Sequence, residues 1–381
     1  MALEHYILSG GKRLRCGVTT GSCAALAASG AARLLLTGEA PAAAALITPG
    51  GIRVEAPLED CRLMGDRASC GVRKDGGDDP DATHGLLIRA EVSRIPGEGI
   101  EIDGGEGVGR VTKPGLDQPV GSAAINSVPR KMIRAAVEEV RESLDASGGL
   151  RVVISVPGGR EAAEKTFNPD LGVLGGISIL GTSGIVEPMS SQALIDTIHL
   201  ELRQHGALGA DSVILTPGNF GLDFLRDRGL HRLGVPVVKC SNFIGDALDG
   251  AADCGFRRVL LVGHIGKLIK LAGGIMNTHS RTADCRRELI CAHAALCGGG
   301  RALCRALMDA ATTDACLDLL EPEGLLEPVM ESLTAAVERH LKKRAGSMTA
   351  GAILFSNVRG ELGRTAEVPE ILAAMAGKEQ P

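Results

Sequence analysis

Three short turns in this chain carry residues whose types and spacing could do chemistry, and each follows an apolar run. After SVILT, Ser212 to Thr216, comes PGNFG, which sets Gly218, Asn219 and Gly221 in a turn that opens a helix. A tight glycine turn lets a nucleotide-like ligand lie against the backbone, and an ordinary strand-to-helix turn looks the same. After VPVVKC, the sequence SNFIGD offers Asn242 and Asp246. Asp246 is able to accept hydrogen bonds from ribose hydroxyls; an exposed helix-start carboxylate is the plainer reading. After RVLLVG, the run HIGKLIKLAGG places His264 and Lys267 three residues apart, on one face of a helix, with Lys270 continuing the spacing. A helix start with a nearby lysine suits carboxylates. NTHSR then adds His279 and Arg281 in a polar loop.

The first part of the chain has its own candidates. DGGDDPD, Asp75 to Asp81, packs four aspartates into seven positions, which suits a hard cation or a solvated loop of Asx turns. GGEGVGRVTKPG, Gly104 to Gly115, is a loose glycine motif that offers Glu106, Arg110 and Lys113. GGISILGTSGIVEPMS, Gly175 to Ser190, is apolar, glycine-rich and aperiodic. It reads either as the lining of a cleft for a large flat ligand or as a buried irregular connection.

These turns need elements to hold them. Ser22 to Leu36 reads as an Ala-rich buried helix with Thr20 or Ser22 as its N-cap. Ala43 to Ile47, Ile52 to Ala56, Leu86 to Val92 and Ile100 to Ile102 read as strands, and Met132 to Leu144 as an amphipathic helix. Together they predict an α+β domain over residues 1–147. From residue 148 the texture changes to near-continuous apolar runs, RVVISV, SVILT, VPVVKC and RVLLVG, alternating with helix-like segments. Such runs suit strands buried on both faces. The fold class expected is therefore α/β in two domains: the α+β layer, then a Rossmann-like doubly wound parallel sheet over residues 148–381 with added C-terminal helices. The stretch after Glu367 reads as a loose tail.

Composition narrows the function. The 381 residues include 52 glycines, about twice the usual share, but no Trp, one Tyr and six Phe. A net charge of −5 and the scarcity of aromatics disfavour nucleic-acid binding. Eleven irregularly spaced cysteines without a CxxC pair suit reduced thiols in a cytoplasm, not a tetrahedral zinc site. No metal site is expected. The N-terminal MALEHYILSGGKRLR lacks an apolar segment of export length, and no run reaches the roughly 20 residues of a membrane span.

The ordered strings RCGVTTGSCAAL, DGGDDPDATHG, GGEGVGRVTKPGL, INSVPRKMI, NPDLGVLGGISILGTSGIVEPMS, TPGNFG, KCSNFIGD and GHIGKLIKLAGGIMNTHSR closely resemble the CbiD family. These are the cobalt-precorrin-5B C1-methyltransferases of anaerobic cobalamin biosynthesis. The resemblance runs from about Arg15 to about Arg286. It implies S-adenosylmethionine as the cofactor and a cobalt-corrinoid as the substrate, which itself carries the cobalt, with cobalt-precorrin-6A as the product. A ring with acetate and propionate arms needs cations and helix starts. Arg15, Thr19, Thr20, Ser22, Arg110, Lys113, Arg130, Lys267 and Arg281 are the substrate-side candidates. Gly218, Asn219, Gly221, Asn242 and Asp246 are the cofactor-side candidates, with Gly181 and Thr182 in a loop that closes over cofactor or ring. His264, His279 and Asp246 are the candidates for proton handling. Two other readings stand beside this one: a corrinoid carrier that does no chemistry, and a magnesium-dependent phosphotransferase, which would lack a P-loop. A homodimer is the default assembly, with transient contacts to other enzymes of the pathway.

Overall fold

The computed structural model describes residues 3–9, 11–169 and 171–377. The chain forms two compact units, Met1–Ser190 and Ser191–Pro381.

In the first unit the helix Thr20–Thr37 is the axis. Ala, Gly and Cys on almost every side let it be buried all round, against the helix Ser127–Ser143 and the strands Arg67–Arg73 and Leu87–Ile95. Its cap is Thr19, one residue before Thr20 and three before Ser22, the expected positions, and Thr19 Oγ1 accepts from the Ser22 N–H at 3.2 Å. Gly38, in the left-handed region, ends it. The sheet beneath runs in the order Glu59–Met64, Arg67–Arg73, Leu87–Ile95, Gly149–Ser155, Ile100–Gly104, and all its pairs are antiparallel except the last.

Gly149–Ser155 corrects the expected boundary at residue 147. This strand lies between Leu87–Ile95 and Ile100–Gly104, so it belongs to the first unit, which continues to Ser190. A strand with a neighbour on each edge has the same apolar texture as one in a parallel sheet, and texture alone misassigned it. The strands Glu59–Met64 and Arg67–Arg73 were also not foreseen. Their Arg, Glu, Asp and Ser content hides them, although the two-residue turn Gly65–Asp66 between them suits a hairpin, with Gly65 at φ +61.

The second unit has the strand order Val237–Lys239, Ser212–Thr216, Arg258–His264, Thr349–Ser356, Gly360–Arg364. The first four are parallel and the last is antiparallel, so the expected parallel sheet closes with a hairpin. In chain order this is 2-1-3-4 plus an edge strand, a doubly wound arrangement. Alternate residues feed opposite faces. Val213, Leu215, Val259 and Leu261 meet the helices Ser191–Ala207, Ile244–Asp253 and Leu326–Ala345. Ile214, Leu260, Val262 and Phe355 meet the helices Asn219–Asp227 and Val368–Ala376. The last helix replaces the expected loose tail. Pro369 sits in its first turn, and Val368, Ile371 and Met375 are fully buried. Residues 378–381 lie outside the described residues. No helix among the described residues is long and apolar enough to cross a membrane.

Candidate functional site

Ligands of open α/β sheets bind beyond the carboxyl ends of the strands, where the strand order reverses. Here that point lies between Thr216 and His264, the ends of two adjacent parallel strands. Lys267 ties the two loops together by donating its ammonium to the Pro217 carbonyl at 2.8 Å. The expected open seat for carboxylates is not formed there. The helix is only Ile265–Leu268, and the Gly266 N–H is already bonded to His264 Nδ1 at 3.1 Å.

The two glycines of the first turn do different things. A Cβ on Gly221 would stand 2.8 Å from Thr216 Cβ and 2.9 Å from the Val262 carbonyl, so glycine there lets the helix sit on the sheet. A Cβ on Gly218 would meet nothing within 4 Å, and its backbone is extended. The fold does not require glycine at Gly218. Open space against a bare backbone is what a ligand approaching closely would need. Asn219 and Phe220 follow, both exposed, and Phe220 puts its ring 6.0 Å from that of His264.

Two further loops reach the same end of the sheet. Ser241 adopts φ +51, uncommon for a non-glycine residue, in a turn closed by the Phe243 N–H on the Cys240 carbonyl at 2.9 Å. Asn242 is tied to Thr278, whose N–H donates to its carbonyl at 2.9 Å and whose hydroxyl donates to its Oδ1 at 3.3 Å. Lys270, buried, pins that Asn277-to-Asp284 loop by donating to the carbonyls of Thr278 and Ala283. This places His279 and Arg281 on an exposed loop, where His279 Nδ1 accepts from the Arg281 N–H at 3.1 Å. Asp246 is half-buried, and its carbonyl lies 2.9 Å from His199 Nε2.

Burial lowers the pKa of His264, against the pull of Asp314, whose carboxylate lies 3.9 Å from Nε2. Burial also lowers that of Lys267, while the Cys240 thiol works the other way. Cys240, fully buried, is pushed up to about 12 by its own desolvation, so it is no nucleophile. Asp314, Ser356 and Phe220 were missed by the sequence reading.

In the first unit, most of the expected substrate-side groups are engaged within the protein. Arg15 holds Asp75 in a two-pronged pair at 2.5 and 2.8 Å. Arg130 donates to the carbonyls of Ile125, Ile102 and Ala123, and burial lowers its pKa. Thr20 Oγ1 accepts from the Leu180 N–H, Ser22 Oγ donates to the Gly184 carbonyl, and Thr19 caps its helix. Their partners lie in the segment Ser178 to Gly184, so these residues fasten that segment rather than stand open. Within it Thr182 is exposed, and a Cβ on Gly181 would meet the Thr19 side chain at 2.5 Å. Arg110 is exposed and paired with Asp103 at 3.0 Å, and Lys113 is exposed. The aspartate cluster is likewise internally bonded: Asp75 with Arg15, Asp81 with the buried Lys74, and Asp78 with the Arg15 N–H. Among the described residues no group of three or more His, Cys, Asp or Glu could hold a metal ion.

The second unit is thus a doubly wound α/β module whose strand order reverses between Thr216 and His264. The CbiD family matches residues 8–188, and the CbiD C-terminal domain matches residues 277–366. A protein of Ruminiclostridium cellulolyticum named cobalt-precorrin-5B C(1)-methyltransferase is 48% identical over 364 residues, 94% of each chain. Proteins of the same name from Alkaliphilus metalliredigens and Photorhabdus laumondii are 41% and 42% identical, covering 97% and 96% of this chain and 97% and 96% of their own. A crystal structure of the cobalamin biosynthesis protein (cbiD) from Archaeoglobus fulgidus is 29% identical, covering 73% of this chain and 86% of that one, at a TM-score of 0.40. The chain belongs to the CbiD family.

Proposed function

We propose that this chain is a C-methyltransferase of cobalamin biosynthesis that methylates C1 of cobalt-precorrin-5B, with S-adenosylmethionine as donor, in the cytoplasm. The observation that carries the reading is the 48% identity to a relative of that name across 94% of both chains. The cobalt belongs to the substrate.

The residues at the strand reversal fit an adenosyl cofactor. Gly218 leaves its backbone open on the side where a Cβ would stand, Asn219 presents an amide, and the exposed Phe220 offers a flat apolar face. These residues would hold the cofactor, with Asn242 and Asp246 on the neighbouring loops. When bound, S-adenosylmethionine supplies an electrophilic methyl group on a leaving group that is already activated. The chain's contribution is then orientation, which is worth about 7–11 kcal/mol when the reacting atoms are aligned. Lys267 fixes the spacing of the two loops through Pro217. The neutral His264 offers a hydrogen bond without adding a repelling cation beside a sulfonium. Arg281, on its exposed loop in the second unit, is the group proposed for an acetate or propionate arm. C1 becomes quaternary and has no proton of its own to lose, so no base is demanded at that atom.

Incubation with methyl-labelled S-adenosylmethionine and cobalt-precorrin-5B tests the reading. Label in the corrinoid, with S-adenosylhomocysteine formed in equal amount, is the expected result. Corrinoid binding without labelling would instead make the protein a carrier, and magnesium-dependent nucleotide binding without labelling would favour a phosphotransferase.

A further inference from the structure

We propose that Asp314, delivered by the C-terminal helix Thr313–Leu320 and held by Ser356, is the positioning residue that fixes the orientation and tautomer of His264 in the crevice. The inference rests on the strand reversal being the reaction site, and it assigns a function to a helix within the stretch that matches the CbiD C-terminal domain.

The proton inventory is decisive. Nδ1 of His264 accepts from the Gly266 N–H at 3.1 Å, so it carries no proton. The single proton of the neutral ring is therefore on Nε2, and Nε2 faces Asp314 Oδ2 at 3.9 Å. The other oxygen, Oδ1, accepts from Ser356 Oγ at 2.5 Å. Ser356 Oγ in turn accepts from the N–H groups of Val358 and Arg359 at 3.1 and 3.4 Å, which leaves its own proton for Asp314. Arg359 bonds Asp318 and Glu321 at 2.6 and 2.8 Å, anchoring this loop to the helix that carries Asp314. The imidazole also neighbours two rings, Phe355 edge-on at 5.8 Å and Phe220 at 6.0 Å. A ring turned about its Cβ–Cγ bond would lose the Gly266 bond.

The charged groups around His264 are few. Lys267, on its own turn, is directed to Pro217, and Arg359 is occupied by two carboxylates. The turn from Pro217 to Phe220 contributes no titratable group. Among the described residues, Asp314 is the anion set against the ring. Set 3.9 Å from Nε2, it favours the proton on that nitrogen and draws the Nε2–H side of the ring toward itself, which limits how the imidazole can turn.

Histidine-labelled protein, titrated by NMR with His264→Gln to identify the resonance, tests this. The wild-type ring is expected in the Nε2–H tautomer at neutral pH. Asp314→Asn should lower its titration midpoint, because an attracting anion is lost, and Asp314→Glu should restore part of the shift. Asp314→Asn should also slow methyl transfer about tenfold, with little change in KM for S-adenosylmethionine, since a residue acting through another forfeits part of a proton-handling contribution. Ser356→Ala should move the same midpoint in the same direction by less, and it serves if Asp314→Asn does not fold. An identical midpoint and tautomer in the folded variants overturns the proposal, as does full turnover in folded Asp314→Asn. Wild-type protein that shows the His264–Asp314 coupling but transfers no methyl group overturns the methyltransferase reading and leaves the pairing standing.

Discussion

The tightest glycine contacts of the first unit and the open turn at Gly218 in the second form a contrast. In the first, glycines let backbone meet backbone. A Cβ on Gly107 would stand 1.9 Å from the Val156 carbonyl, on Gly159 2.3 Å from that of Gly107, and on Gly176 2.2 Å from the same atom. Gly17 and Gly76 form a second such crossing, where a Cβ on Gly17 would meet the Gly76 backbone at 2.2 Å. In the second unit Gly218 borders open space at the strand reversal. One composition signal, the glycine excess, therefore covers two situations: crossings where backbone meets backbone, and a turn at Gly218 that borders open space, where we propose the cofactor lies.

The largest effect that could break this contrast is expected at Gly107. Gly107→Val adds bulk at φ +71 and against a carbonyl that cannot move aside, so it should cost more than about 3 kcal/mol and lose the folded first unit, measured by urea denaturation. Next is the ion pair of Lys74 and Asp81. Lys74→Met would leave a partly buried carboxylate without its partner, at about 3–5 kcal/mol of destabilisation by the same method. Smaller again is Lys267→Met in the second unit. It should unlink the Pro217 and Gly266 loops and weaken S-adenosylhomocysteine binding about tenfold, roughly 1.4 kcal/mol by calorimetry, with little change in melting temperature.

Acid should separate the units by a still smaller margin. Burial works against Asp81, but Lys74 and Thr83 outweigh it and hold its pKa below the ordinary value; for Asp75, the bond from Arg15 does the same. Lowered carboxylates stabilise the fold above their unfolded pKa, so the first unit should weaken as pH falls below about 4. His264 and His293 are lowered chiefly by burial. Protonation then favours the unfolded chain, and the second unit should begin to weaken as pH falls below about 6.5. Hydrogen exchange followed by unit between pH 7 and pH 3 reads both onsets, and simultaneous onset would erase the distinction.

Much of this arrangement was legible in the residues. The Ala-rich helix, the four apolar runs and the turns at Gly218 and His264 stand where local pattern places them, because period and turn chemistry are local properties. The domain boundary was not legible: whether Gly149–Ser155 pairs with Leu87–Ile95 or joins the later parallel strands depends on partners far away in the chain. For the same reason Arg15, Arg130, Thr20 and Ser22, which as residue types suit an anionic ligand, proved to be bonded to the protein itself. Asp314 was invisible because a lone acid in a helix start carries no signal until the fold sets it beside His264. The helix Val368–Ala376 did leave a signal, with apolar residues at 368, 371 and 375 after a start containing Pro369.

The central claim is that the clearing at Gly218 is where the cofactor lies. Calorimetric titration of S-adenosylhomocysteine into Gly218→Val, alongside a thermal melt, tests it most directly. The melt should be unchanged, since a Cβ there meets no protein atom within 4 Å, while affinity should fall about a hundredfold or more, roughly 2.8 kcal/mol. Wild-type affinity in the folded variant would contradict the account and move the cofactor site elsewhere in the molecule.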